Sequence, residues 1–206
     1  MTSASPVQPT PAQVGTRAAK ILALIKGTEE FARLEKSSKA YTDCWATFTG
    51  YPLVAEWDLQ SDTGPLFEEA VRVLALKTAV YELTGGDEHA AELEVSAPVD
   101  EMVHAVLAQY TLCQQMTRKL GIEFIHMTDQ ERFTYEPGGC TDQCYTAAGW
   151  GEPNRRYWLD RTEMGRRLDY LGDLYESIGF QAEGRSHRHT FRPVSETVTG
   201  PFVMAG

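Results

Sequence analysis

Ala97-Pro-Val-Asp-Glu-Met-Val-His104, followed by a run that closes on Gly121-Ile-Glu-Phe-Ile-His126-Met127, is the stretch whose reading decides the fold. Pro98 stands where a missing N–H is harmless, and Asp100 and Glu101 suit the positive end of a helix dipole. Gly121 supplies the stop. At about 100° per residue, Met102, Val103, Val106, Leu107, Tyr110 and Cys113 share one apolar arc, so the spacing predicts one helix from Pro98 to Leu120. Asp100, His104, Ala108, Thr111 and Gln115 lie on another arc, with Asp100 and His104 one turn apart on the same face. Beyond Gly121, residues 122–127 read as a short extended segment that returns His126 beside the preceding chain.

Upstream, residues 1–12 are rich in Ser, Thr, Pro and Gln and are expected to be a disordered tail. Ile21, Leu22, Leu24 and Ile25 mark a first helix ending near Gly27, and Thr28-Glu-Glu restarts the helix with acidic residues in its first turn. Trp45, Phe48 and Tyr51 around Gly50-Tyr51-Pro52 are expected to pack a turn against the core. Ser61-Asp62-Thr63-Gly64-Pro65 reads as a helix start with capping side chains. The helix after it, Leu66 to Leu83, is apolar on most of its circumference and is therefore central rather than superficial. Thr84-Gly85-Gly86 ends it, and an acidic connector carrying a solvated His89 follows.

Downstream, residues 129–158 form a long, weakly patterned region, in which Thr141 to Ala148 reads as a short helix and the remainder as a lid or pocket wall. Asp160-Arg-Thr-Glu163 fits the reciprocal capping pattern, and Met164, Leu168, Leu171, Leu174, Tyr175 and Ile178 continue at helical spacing to Gly179. Val194 to Val203 has strand-like content, consistent with an extended or β arm. The expected architecture is mainly α: a single-domain helical bundle over residues 13–182, with residues 183–206 as a C-terminal arm.

The chain has 206 residues, 42% hydrophobic, enough for one sizeable core. A net charge of -10 and a pI near 5.0 argue against nucleic acid as a partner, because affinity for a phosphate backbone comes from basic contacts. No signal-like segment and no run of eighteen apolar residues is present, so neither membrane insertion nor secretion is expected and the location expected is cytoplasmic. Cys44, Cys113, Cys140 and Cys144 are too few and too dispersed for a disulfide scaffold and read as free thiols. Cys140 and Cys144 could share a helix face, a spacing that zinc sites tolerate.

Two readings of the histidines stand side by side. In one, His104 and His126 with Asp100 form a metal or acid/base site. Two imidazoles and a carboxylate suffice for a divalent transition metal with open positions, and Asp100 can alternatively orient His104. In the other, Asp100 stabilises the helix N-terminus while His104 bonds a backbone carbonyl near His126 and locks the turn at Gly121. His187 and His189 would face one side of a strand and could add ligands, although Arg185-Ser-His-Arg-His also reads as a solvated basic patch. Tyr135, Trp150, Arg155, Arg156, Tyr157 and Trp158 could line a pocket for an anionic or aromatic ligand, or be exposed loop residues. No Walker-type loop, dinucleotide fingerprint, Gly-x-Ser-x-Gly or His-Glu-x-x-His is present.

Val99-Asp100-Glu101-Met102-Val103-His104, with Leu120-Gly121 and Phe124-Ile125-His126, resembles the bacterial members of the glycine-rich domain-containing-protein-like family. Those proteins carry "Val-Asp-Glu-Val-Trp-His" and "Gly-x-Phe-Ile-His-His". The helix from Ala70 to Leu83 and the segment Leu174-Tyr175 to Gly179-Phe180 resemble further family elements, so the resemblance covers roughly residues 65–180. Val103 stands where the family has tryptophan, Met127 where it has the second histidine, and Asp129 where it has proline. The resemblance implies a mostly helical domain and marks the histidines. The expected function is action on a small molecule through the Asp/His site, the competing class being a binding or scaffold protein with structural histidines.

Overall fold

The computed structural model describes residues 8–41, 59–127 and 134–177, and eight helices and no strand occur among them. The chain divides into two compact units, Met1–Leu168 and Asp169–Gly206. The first holds seven helices and the start of the eighth, α8 (Arg161–Ser177); the described part of the second is the C-terminal portion of that helix. The expected turn around Gly50-Tyr51-Pro52, Cys44, the Gly179 stop, the C-terminal arm and His187 with His189 lie outside the described residues.

The mainly α reading is met, and the central helix is the one that the sequence marks. In α3 (Leu59–Leu83) almost every residue from Leu66 to Val80 is buried. A helix apolar all round gains its stability by being surrounded, and α3 is packed by α1 (Pro11–Lys26), α2 (Phe31–Lys39), α4 (Glu88–Ala91), α5 (Ala97–Leu107) and α7 (Cys140–Ala147). Its alanines, Ala70, Ala75 and Ala79, are all fully buried and let these neighbours approach closely. Helix α1 begins at Pro11 with Thr10 and Gln13 forming a capping box, so order starts inside the stretch expected to be a tail. Glu29 and Glu30 precede α2 rather than entering its first turn.

Two helix boundaries differ from expectation for tertiary reasons. Ser61 to Pro65 do not start α3, which begins at Leu59 and runs through Pro65. Asp62 lies inside the first turn, is buried, and takes the Arg156 guanidinium through two hydrogen bonds of 2.7 and 2.8 Å and the Tyr157 hydroxyl at 2.7 Å. Charge-assisted, bidentate contacts of this kind offset the hydrogen bond that the proline removes. The organising helix is likewise two helices, α5 and α6 (Tyr110–Leu120), separated where Gln109 leaves helical geometry at ψ 46°. At the break Val106 O accepts the Gln109 N–H at 3.0 Å, and side chains add to it, Gln109 Nε2 donating to Ala105 O and the Cys113 thiol to Val106 O, each at 3.3 Å. The change of direction puts Leu112, Cys113 and Met116 inward and leaves Tyr110, expected on the apolar arc, 67% exposed.

Gly121 ends α6 at φ 63°, and Ile122 N–H returns to Thr117 O. A Cβ there would touch nothing within 4 Å, so the cost of a side chain is purely one of backbone conformation. Gly121→Ala is therefore expected to lose about 1–2 kcal/mol of stability in urea unfolding, the cost of the left-handed region for an L-residue; an unchanged midpoint would contradict this. Residues 122–127 then run extended against α3, fixed by the Thr78 hydroxyl on Glu123 O at 2.7 Å and by Ile122 and Ile125 in the core.

Candidate functional site

The turn at Gly121 brings together what the chain separates. Asp100 lies near the start of α5, His104 one turn later, and His126 on the returning segment, with the two imidazole centroids 4.8 Å apart at an interplanar angle of 62°. His104 Nε2 is 3.5 Å from Asp100 Oδ2, and His126 Nδ1 is 3.9 Å from Asp100 Oδ1. One potential ligand atom from each of the three residues lies within 4.8 Å of the others, the one such group of three among the described residues. Around a tetrahedral ion with bonds of about 2.1 Å, donor atoms stand about 3.4 Å apart. The Asp100–His104 spacing already fits, and the rest requires closure by about an ångström.

Burial grades the site. The side chains of Asp100 and His126 are 5% and 3% exposed, whereas that of His104 is 24% exposed and forms the solvent-facing edge. His104 Nδ1 faces away from Asp100, toward Glu101 Oε2 at 3.8 Å. Nε2 is the ring nitrogen nearer the Asp100 carboxylate.

Two further residues complete the surroundings. Lys77, in the buried middle of α3 with its side chain 0% exposed, is 2.5 Å from Glu92 Oε1 and donates to His126 Nδ1 at 3.3 Å. Glu92 Oε2 accepts the Met127 N–H at 3.1 Å, so one carboxylate holds both the ammonium and the backbone beside His126. Burial, then the Lys77 charge and then His104, hold the His126 imidazole down to about 3. The ring is neutral at ordinary pH. Lys77 and Glu92 escaped the sequence reading. A solitary lysine inside an apolar run signals a buried cation in need of partners, whereas Glu92 is one of several acids in its connector.

The other candidate groups are placed elsewhere. Cys140 and Cys144 share a face of α7, Cys140 exposed and Cys144 buried. Burial and the neighbouring Cys140 push the Cys144 thiol up to about 12, and burial pushes Cys113 up to about 11, so both rest as thiols in the metal-free protein. His89 is exposed on α4, as expected. Of the residues expected to line a pocket or lie exposed in loops, Tyr135, Tyr157 and Trp158 are buried. Trp158 Nε1 donates to Glu69 at 2.9 Å; Tyr135 bonds Asp142, which also takes Arg155 at 2.7 Å; Trp150 meets Tyr145 edge-on at 5.2 Å. Hydrogen bonding within the protein thus occupies much of this group.

The chain matches no protein-family model, no curated protein and no solved structure.

Proposed function

We propose that the protein binds a divalent transition metal ion at Asp100, His104 and His126 and uses the remaining coordination positions to act on a small molecule. The convergence of two imidazoles and a carboxylate, from positions 22 residues apart in the chain at the histidines (126 less 104), carries this reading. The donor set suits zinc or another borderline divalent ion better than calcium or magnesium, which take oxygen ligands. Such an ion would polarise a bound oxygen or lower the pKa of a bound water. In a metal-free version of the same site, His104, oriented by Asp100, would serve as a general base at the solvent-facing edge. The motif resemblance of residues 99–104 and 124–126 to the glycine-rich domain-containing-protein-like family marks the same three positions. No helix among the described residues is long and apolar enough to cross a membrane.

One observation favours a second reading, in which the histidines are structural within a binding or scaffold protein. The ring of His126 is already held by Lys77, and its segment by Thr78 and Glu92. The two readings differ in what the variants lose. Elemental analysis of protein purified without a metal-affinity tag and reconstituted with zinc, cobalt or manganese is expected to give close to one ion per chain, with His104→Ala and His126→Ala each lowering affinity at least about tenfold. The place of His104 at the solvent-facing edge makes its removal cheap in the apo protein. A wild-type protein that takes up no metal after reconstitution, with His104→Ala costing the roughly 1–3 kcal/mol of a structural group whose buried partner is left unpaired, would establish the second reading instead.

A further inference from the structure

We infer that Lys77 is a built-in competitor of the metal, so that loading the Asp100–His104–His126 site breaks the Lys77–His126 hydrogen bond and exchanges one cation contact for another. The inference rests on the metal reading above and goes beyond it by assigning a role to a residue that binds neither metal nor substrate.

The argument follows from the two nitrogens of one imidazole. A neutral ring has one nitrogen with a proton and one with a lone pair. Lys77 Nζ approaches Nδ1 to 3.3 Å, and since an ammonium has only hydrogens to offer, the contact assigns the lone pair to Nδ1. A metal bound at Nδ1 needs that same lone pair and displaces the ammonium directly. A metal bound at Nε2 needs the lone pair there, which moves the ring proton to Nδ1 and points an N–H at the ammonium. On either nitrogen the existing contact is lost.

Charge works in the same direction. Lys77 is fully buried, so its field is weakly screened, and Nδ1 of His126 lies near both Lys77 Nζ, at 3.3 Å, and Asp100 Oδ1, at 3.9 Å. A divalent ion arriving among Asp100 and the histidines therefore meets a positive charge behind His126. Glu92 moderates this repulsion without abolishing it, since its Oε1 faces Lys77 while its Oε2 is committed to the Met127 N–H. The metal-free site is thereby given a resting arrangement in which Lys77, held by Glu92, occupies the Nδ1 side of His126. Weaker, more readily reversed loading is the consequence.

The test is zinc or cobalt(II) titration by calorimetry, with cobalt absorbance as a second readout, on the full-length wild type, Lys77→Met, and Lys77→Met/Glu92→Gln. The double variant avoids leaving a buried carboxylate without its cation, and glutamine can still accept the Met127 N–H through its carbonyl, so it serves if the single variant fails to fold. Removing the ammonium is expected to tighten metal binding by about 10- to 100-fold, the range over which groups behind a metal ligand alter affinity. Structural damage would move affinity the other way. Tight binding by the lysine-free variant where wild type binds weakly or not at all supports the inference. Wild-type binding that the lysine-free variant equals or falls below overturns it and leaves the metal site intact. No binding by either protein overturns both.

Discussion

Glu69→Ala is expected to lower stability by about 3–5 kcal/mol, the cost of removing one partner from a buried charged network. The Glu69 carboxylate is buried on α3 and accepts from three side chains at once: the Tyr145 hydroxyl at 2.9 Å, Trp158 Nε1 at 2.9 Å and Arg72 Nη1 at 2.8 Å. Truncation leaves the Trp158 N–H and the Tyr145 hydroxyl proton without their buried acceptor, while Arg72, a quarter exposed, keeps only the Tyr145 oxygen, its Nε being already buried without a partner. Arg72 lies 5.5 Å from the ring centroid of Tyr145 and 5.8 Å from that of Trp150, so the aromatic cluster that joins α3 to α7 and the segment before α8 loses its central anion. Tyr145→Phe removes one donor and leaves the carboxylate with two others, so it is expected to cost about 1–2 kcal/mol. Urea denaturation of the two variants tests the ordering. A loss below about 1 kcal/mol for Glu69→Ala would show that the network contributes little beyond its packing.

Gly15→Ala is the second large effect. In an ordinary helix interior this change gains about 1 kcal/mol from propensity. Here a Cβ would stand 2.5 Å from Ala148 N and 2.6 Å from Ala147 C and Cys144 O, all backbone atoms of α7 or its cap. Backbone cannot rotate out of the way, so α1 and α7 must separate along their whole contact. The clash outweighs propensity, and the net loss is expected to reach about 2–4 kcal/mol, which in a chain of this size is a fall in thermal midpoint of roughly 10 °C. Gly27→Ala is the control, since its added Cβ comes no closer than 3.3 Å to Ala23 O. Circular dichroism melts should separate the two variants; equal midpoints would mean that the close approach of α1 and α7 yields at little cost.

The candidate site was legible where its logic is local. Asp100 and His104 stand one turn apart, and any helix through both puts them on one face. The Gly121 stop implied that the chain turns back, which is how His126 reaches His104. Lys77 and Glu92 obey no spacing rule. They meet because α3 passes behind residues 122–127 while Glu92 follows α4, an arrangement set by packing. The same difference explains Tyr135, Tyr157 and Trp158, whose aromatic and polar character suits a ligand pocket as well as an interior network. Only the positions of Glu69, Asp62 and Asp142 assign them to the latter.

The amino-acid sequence by itself determined several helix ends, through Pro98 at the start of α5, the glycines at 27, 85, 86 and 121, and Asp160, whose carboxylate accepts the Glu163 N–H at 2.8 Å. It also determined that α3 is central. These are short-range facts: a cap or a left-handed residue acts within a turn, and an apolar circumference requires burial whatever surrounds it. The tertiary structure decided the rest. It broke the helix at Gln109, paired Asp62 with Arg156, and turned Glu163 from a reciprocal cap toward Arg166 and Arg167. It also set a lysine against a histidine. Each is the choice of a partner for a polar group, and a polar group leaving water takes the partner that the folded chain brings within reach, however distant in sequence.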